Sequence, residues 1–385
     1  MEYKTIKELC DLVVDCPHST PTWTEHGKTV IRNNNIKNGR IDFTSPSFTD
    51  DEHFAQRIKR AVPKAGDIVI TREAPMGEVG MIPEGIECCL GQRMVLLRAN
   101  ERICDKHYLL YGLQSQFVQH QISWSEGTGT TVSNLRIPHL EQIRVPYVPL
   151  DQQKKISSVL YALEDKIENN RKLNDNLEQQ AAALFSSLYN RSNTEVRYTD
   201  LIQILGGGTP KTGETAYWNG NIAFFTPKDV GTPYTFITEK TITEEGLSHC
   251  NSQLYPVNTV FVTARGTVGK VGLSGVPMAM NQSCYALVGK ETHQLLVYFY
   301  TLKVVDKLKH KASGAVFDAI TTRDFESEQI MKLSDDDARA FLCVAEPMFQ
   351  DILNNSIENL RLSTLRDFLL PKLMSGEIDV SNIQF

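Results

Sequence analysis

Few residues of this chain stand at spacings that do covalent chemistry. The eight cysteines, Cys10, Cys16, Cys88, Cys89, Cys104, Cys250, Cys284 and Cys343, are scattered. None belongs to the C-x-x-C pair that marks a zinc site or a disulfide framework. Cys10, Cys16 and His18 come nearest to a ligand set and read instead as ordinary residues of a strand and a loop. The run GGGTPKTG at 206–213 lacks the Gly-Lys-Ser/Thr ending of a phosphate loop, so no ATP-driven motor is expected. The turns PMGEVG (75–80) and GTVGKVG (266–272) read as hairpin turns rather than phosphate cradles. There is no Asn/Asp-Pro-Pro-aromatic motif of the kind that amino-methyltransferases use to hold a flipped base. Glu164 and Lys166 fall in a helical pattern, where a solvated face is expected for both. The expectation is a chain that binds and does no chemistry of its own.

The elements that position its side chains form an internal repeat. Asp11-Leu12 with Ser19-Thr20-Pro21 matches Asp200-Leu201 with Gly208-Thr209-Pro210. VIRNNNI (30–36) matches FFTPKDV (224–230), and ITREAPMGEVG (70–80) matches VTARGTVGKVG (262–272). Gln92 then matches Gln282, and Gln142-Ile143 matches Gln329-Ile330. Short apolar runs such as GDIVIT and NTVFVT, set between Gly, Pro and Asn turn signals, make the first part of each copy mixed and mostly β.

Each copy then ends on a helical pattern. Ile156, Leu160, Leu163, Ile167, Leu177, Ala181, Leu184 and Leu188 recur at spacings of four and three. Phe341, Ala345, Met348, Ile352, Leu362, Leu369 and Leu373 repeat the pattern, and Arg366 interrupts it, so that one stretch is expected to face something other than the partner helix. Asn170 and Asn174 in the first seam, and Asn355 and Asn359 in the second, are polar where apolar residues belong. Buried asparagines of this kind fix register and partner choice. At 1.5 Å per residue a helix of some 35 residues reaches roughly 50 Å. The expected architecture is α+β: a mostly β domain over 1–150, a spacer helix over 151–191, a second such domain over 192–338, and a helix and tail over 339–385. The helices should pair antiparallel as a coiled coil, giving an internal pseudo-twofold repeat.

Composition sets bounds on function. With 385 residues, 41% hydrophobic and 22% charged, the chain has the make-up of an ordinary globular protein. No run approaches the roughly 20 apolar residues of a membrane span, and the first residues, MEYKTIKELCDLVVD, do not read as a signal peptide. A cytoplasmic location without membrane partners is expected. The net charge of −6, from 40 Lys and Arg against 46 Asp and Glu, argues mildly against nucleic acid, although a local basic surface is compatible with it. Two unequal heads on a spacer suit duplex DNA, whose strands are related by local twofold axes. A bivalent protein-binding scaffold fits the same pattern.

Particular motifs separate these readings. LGGGTPKTGETAYWNGNIAFFTPKDV (205–230) resembles the opening of a target-recognition domain in the specificity subunits of type I restriction-modification systems. VDCPHSTPTW (14–23) resembles a second form of that opening, and GTVGKVG with Asn281-Gln282 and the ending LRDFLLPKLMSGEI (365–378) are also similar to that family. The resemblance implies a DNA-recognition subunit whose helices dock two methyltransferase subunits, joined in complete systems by restriction subunits. It implies no cofactor in this chain. S-adenosylmethionine, ATP and magnesium would belong to the partners. A subunit serving a methyltransferase alone is the runner-up, since the restriction subunit is a separate chain.

On that reading, candidate contacts to double-stranded DNA in the first domain are Arg32, Asn33, Asn34, Asn35 and Lys37, with Arg72 near its turn. Those in the second are Lys211, Thr226, Lys228, Arg265 and Lys270. Arginine and lysine suit guanine edges and phosphates, and asparagine suits adenine. Tyr217 and Trp218 are expected to pack under a loop rather than stack on bases.

Overall fold

The computed structural model describes residues 2–37, 39–124, 134–231, 233–311 and 319–381. The chain forms two compact units, one of residues 1–167 with 360–385 and one of residues 168–359.

In the first unit, Glu2–Thr5 pairs antiparallel with Arg144–Tyr147. A four-stranded sheet follows the order Cys10–Asp15, Met94–Ala99, Ile68–Thr71, Val79–Met81. A three-stranded sheet places Lys28–Ile31 between Ser47–Thr49 and Cys88–Leu90, running parallel to the latter. Ile68–Thr71 is buried throughout, which is why it reads as a continuous apolar run rather than an alternating one.

The second unit repeats the order of these sheets, while the small pair Ile36–Lys37 with Arg40–Ile41 belongs to the first unit alone among the described residues. Thr194–Arg197 pairs with Gln329–Lys332. Ile202–Gly206, Cys284–Gly289, Val260–Thr263 and Val271–Ser274 form the larger sheet, extended by Tyr234–Thr235. Trp218–Phe225 lies between Lys240–Ile242 and Met278–Met280, again parallel to the last. The glycine turns match in detail. Gly77 N donates to Thr71 O and Gly269 N to Thr263 O, both glycines having positive φ, and the two threonine hydroxyls accept from Glu78 N and Lys270 N.

Two of the sequence matches slip. Leu201 lies in the helical turn Tyr198–Leu201, whose counterpart is Ile6–Leu9. Leu9 O accepts from Asn100 N as Leu201 O accepts from Lys290 N, so Leu9 and not Leu12 is its equivalent. Likewise Ile6 N donates to Ile143 O while Tyr198 N donates to Glu328 O, which pairs Ile143 with Glu328 rather than Ile330. In both places a local identity outweighed the register of the sheet, which no short match can sense.

The long helices run Leu150–Arg191 and Asp335–Ser375. Ser334 opens the second by accepting from Asp337 N, and three aspartates in its first turn complement the helix dipole. Within the second unit the helices are antiparallel: Asn170 meets Asn359, Asn174 meets Asn355, and Arg191 meets Asp337. Within the first unit they are antiparallel as well, Glu164 facing Arg366 and Lys155 reaching Ser381 O. The fully buried seam positions are Glu164, Phe185 and Phe349, where the pattern of fours and threes had placed Leu163, Leu184 and Met348, which lie half-buried. A stripe of period 3.6 drifts by one residue from a strict heptad over such a length.

Two expectations about charge in these helices are corrected. Glu164 is buried rather than solvated, accepting from Tyr111 Oη at 3.1 Å. Arg366 does not turn away from the partner helix but ion-pairs with Glu164 at 3.5 Å. Burial, with Glu164 beside it, pushes the Tyr111 hydroxyl well above the usual tyrosine range, so it remains a proton donor to that carboxylate.

The asparagines form a closed network. Asn170 Nδ2 donates to Asn359 Oδ1 at 3.0 Å and to Glu358 at 2.7 Å. Asn174 Nδ2 donates to Ile352 O and Ser356 Oγ, and its Oδ1 accepts from Asn355 at 2.9 Å. Replacing Asn174 with leucine strands the amide of Asn355, and the variant is expected to lose about 1–3 kcal/mol in denaturant unfolding despite its greater apolarity. An unchanged or raised stability would show that the network carries no weight in this pairing.

Candidate functional site

In both units one group of candidate residues lies where the parallel strands end. In the first, Lys28–Ile31 runs into Arg32 and the 3₁₀ turn Asn33–Asn35, while Cys88–Leu90 runs into Gly91, Gln92 and Arg93. Gly91 N donates to Ile31 O, closing the two ends together. In the second, Trp218–Phe225 runs into Thr226–Asp229, and Asn281 N donates to Phe225 O in the same way.

The turns share one device. Arg32 N donates to Asn35 Oδ1 at 2.9 Å, and Thr226 N donates to Asp229 Oδ2 at 2.8 Å. Asn35 is accordingly buried, its side-chain oxygen used within the turn, and the Thr226 hydroxyl is likewise committed to Asp229. Neither of these groups is presented outward. Asn33 Nδ2 donates to Glu73 O, while its buried Oδ1 has no partner among the described residues. Arg32 is exposed, 5.2 Å above the Trp23 ring, and Asn34 and Lys37 are exposed beside it.

Arg72 lies elsewhere. Only 8% of it is exposed. Its guanidinium makes two 2.9 Å bonds to the Asp15 carboxylate and also donates to Leu135 O and Asn134 Oδ1. Four of its five N–H donors are thereby engaged inside the domain. Its counterpart is not Arg265: Arg72 N donates to Arg93 O and accepts Leu135 N at its carbonyl, as Ala264 does with Ser283 and Ile320. Arg265 therefore matches Glu73.

In the second unit Lys211, Lys228, Arg265 and Lys270 are all exposed. Lys228 reaches Glu239 at 3.4 Å, a rim pair worth little. Trp218 Nε1 donates to Lys211 O, its ring lies edge-on to Phe224, and Tyr217 stacks on His249, so both aromatics pack within the loop. Crowding explains two glycines of the run, since a Cβ on Gly207 would sit 2.2 Å from Asn281 O and one on Gly208 2.6 Å from Asn251 N. Gln282 and Gln92 each bond to the opening loop of their copy, at Thr209 and at His18 O.

Five of the eight cysteines, Cys16, Cys88, Cys89, Cys104 and Cys284, are buried. Cys16 Sγ accepts from Met94 N, and burial pushes the Cys88 and Cys104 thiols up to about 12. Among the described residues no three His, Cys, Asp or Glu side chains are grouped to hold a metal ion, and no helix is long and apolar enough to cross a membrane.

Sequence reasoning missed Arg93, Glu73, Asn134 and Trp23. Glu73 accepts from Asn134 at 2.6 Å and ion-pairs with Arg93 at 3.1 Å. The available signal for Arg93 was its place directly after Gln92, which the repeat had already singled out.

This geometry can be set beside known proteins. The family described as type I restriction modification DNA specificity domain matches residues 1–179 and 190–332. The MjaIX type I restriction enzyme specificity subunit of Methanocaldococcus jannaschii is 23% identical over 351 residues, covering 84% of this chain and 80% of that protein. The HindI specificity subunit of Haemophilus influenzae is 28% identical over 186 residues, 47% of this chain and 40% of that one. Among solved structures, the S subunit of a type I restriction-modification system from M. genitalium superposes with a TM-score of 0.61 at 16% identity, over 97% of this chain and 95% of its own.

Proposed function

Because the chain belongs to the type I restriction modification DNA specificity family, we propose that its two recognition domains each read one block of a bipartite, asymmetric duplex site, without catalysis by the chain itself. One observation supports this above the others. Both units bring a turn bearing an exposed cation to the same place in the fold, closed by the same backbone-to-side-chain hydrogen bond, yet fill it with different side chains: Arg32, Asn33 and Asn34 in one, Thr226, Pro227 and Lys228 in the other. A common frame with unlike contents suits two unlike half-sites. On this reading the paired helices dock two methyltransferase subunits, and restriction subunits join where a complete system is present. S-adenosylmethionine, ATP and magnesium then serve those partners, and the complex works on DNA in the cytoplasm. The net charge of −6 is compatible, since partners share the neutralisation of phosphates.

The test is the methylome of a host without adenine methylation that expresses this chain with its methyltransferase subunits. Two short blocks are expected, separated by unspecified bases, with centres about one helical turn (roughly 34 Å) apart. A continuous palindrome, or methylation that does not depend on this chain, would refute the reading.

A further inference from the structure

We infer that Arg93 in the first domain and Arg265 in the second are matched phosphate clamps, delivered to one place in the fold from opposite strands. The inference rests on the DNA-recognition reading above. Arg93 leaves the turn after Cys88–Leu90, and its neighbour across that turn is Glu73. In the second domain the two positions exchange character. Ser283 stands where Arg93 does, because its carbonyl accepts from Ala264 N at 2.8 Å as Arg93 O accepts from Arg72 N at 2.8 Å. Arg265 stands where Glu73 does, and its own N–H also reaches Ser283 O, at 3.3 Å. Each copy therefore carries one exposed guanidinium at this corner, from a different segment, Arg72 being buried.

Both side chains are placed for an outside ligand. The Arg93 side chain is 56% exposed, and it approaches Glu73 through Nε at 3.1 Å. The Glu73 carboxylate is largely covered and held from its other side by Asn134, so its charge is engaged. Arg93 also sits at φ +63°, a left-handed conformation that a residue with a Cβ rarely takes and that clusters at binding sites. Arg265 is exposed, with no side-chain partner among the described residues.

A residue that reads a base must differ with the block it reads. What both blocks share is the sugar-phosphate chain, and contacts to it set register without carrying sequence. A positive charge kept in place while the residue bearing it moves to another strand fits the shared element, and a guanidinium suits phosphate oxygens bidentately.

The experiment uses the chain assembled with its methyltransferase subunits, a duplex carrying the site found by methylation sequencing, and a random duplex of equal length. Arg93→Ser and Arg265→Ser should each weaken binding to both duplexes by the same factor. Each should make the log–log salt dependence shallower by about one unit, and leave the methylated sequence unchanged. The double variant Glu73→Arg/Arg93→Ser moves the first domain's guanidinium to the strand that the second domain uses. It should recover the salt dependence of the parent, which excludes misfolding as the cause of the single-variant loss. The inference is overturned if either single variant alters a methylated block, if affinity and salt dependence stay at the parental values, or if the double variant does not recover. Failure of the parent complex to bind either duplex would overturn the DNA-recognition reading itself, a result distinct from those three.

Discussion

An Arg72→Ala variant is expected to lose about 3 kcal/mol of stability in denaturant unfolding, because it leaves the Asp15 carboxylate largely covered and without its bidentate partner. His18, 3.0 Å from Asp15, softens the loss and keeps it at the low end for a broken buried pair. The second domain suggests a compensating change. There Gly206 and Ala264 occupy the positions of Asp15 and Arg72, as the pairings of Val95 with Asp15 and of Tyr285 with Gly206 establish. The fold thus tolerates this corner without charge. Asp15→Ala/Arg72→Ala should therefore recover roughly half of the single-variant loss, and the double-mutant cycle measures the coupling. Equal stability of Arg72→Ala and the parent would refute this account, as would a double variant weaker than the sum of its parts.

The second large effect concerns which block changes. Replacing Arg32 and Asn34 with alanine removes the exposed cation and amide of the first domain's turn while sparing Asn35, which the turn needs for its own closure. Each base contact is worth roughly 1–3 kcal/mol, so discrimination in one block should fall by about 5- to 150-fold per contact. The other block should be untouched. Lys228→Ala should do the converse, since its neighbours within 226–230 make the equivalent turn of the second domain. Methylation sequencing of both variants decides the matter, and a variant that relaxes both blocks together would contradict independent reading.

The repeat and the helices were legible in the sequence because both rest on short-range physics. The turn glycines Gly77 and Gly269 need positive φ, and the polar seam positions Asn170, Asn174, Asn355 and Asn359 break an otherwise apolar stripe. The site was only half legible. Residue type marks arginine and asparagine as suited to DNA, but it does not say which of them the fold has used. Arg72 and Arg93 are both arginines near a turn. Hydrogen bonds to Asp15, Leu135 and Asn134, from segments far apart in sequence, bury the first, while the second remains half exposed. Glu164 was misread for the same reason. An acid beside a lysine in a helix reads as surface until Tyr111, more than fifty residues away, is known to lie over it.

The division of the chain bears on how it comes off the ribosome. The unit formed by residues 168–359 is one continuous stretch, whereas the other closes only with residues 360–385. Leu373 and Met374 belong to the same apolar cluster as Tyr108, Tyr111, Ile156 and Leu160. Those four residues are synthesised early and wait through the making of the whole second domain for their cover. The first domain to emerge is thus the last to be completed, and an apolar strip stays open for the time needed to add some two hundred residues, about 10–40 s at 5–20 residues per second. A message truncated near residue 359 therefore leaves the later unit whole and the earlier one sticky, an inversion of the usual order in which nascent chains become safe.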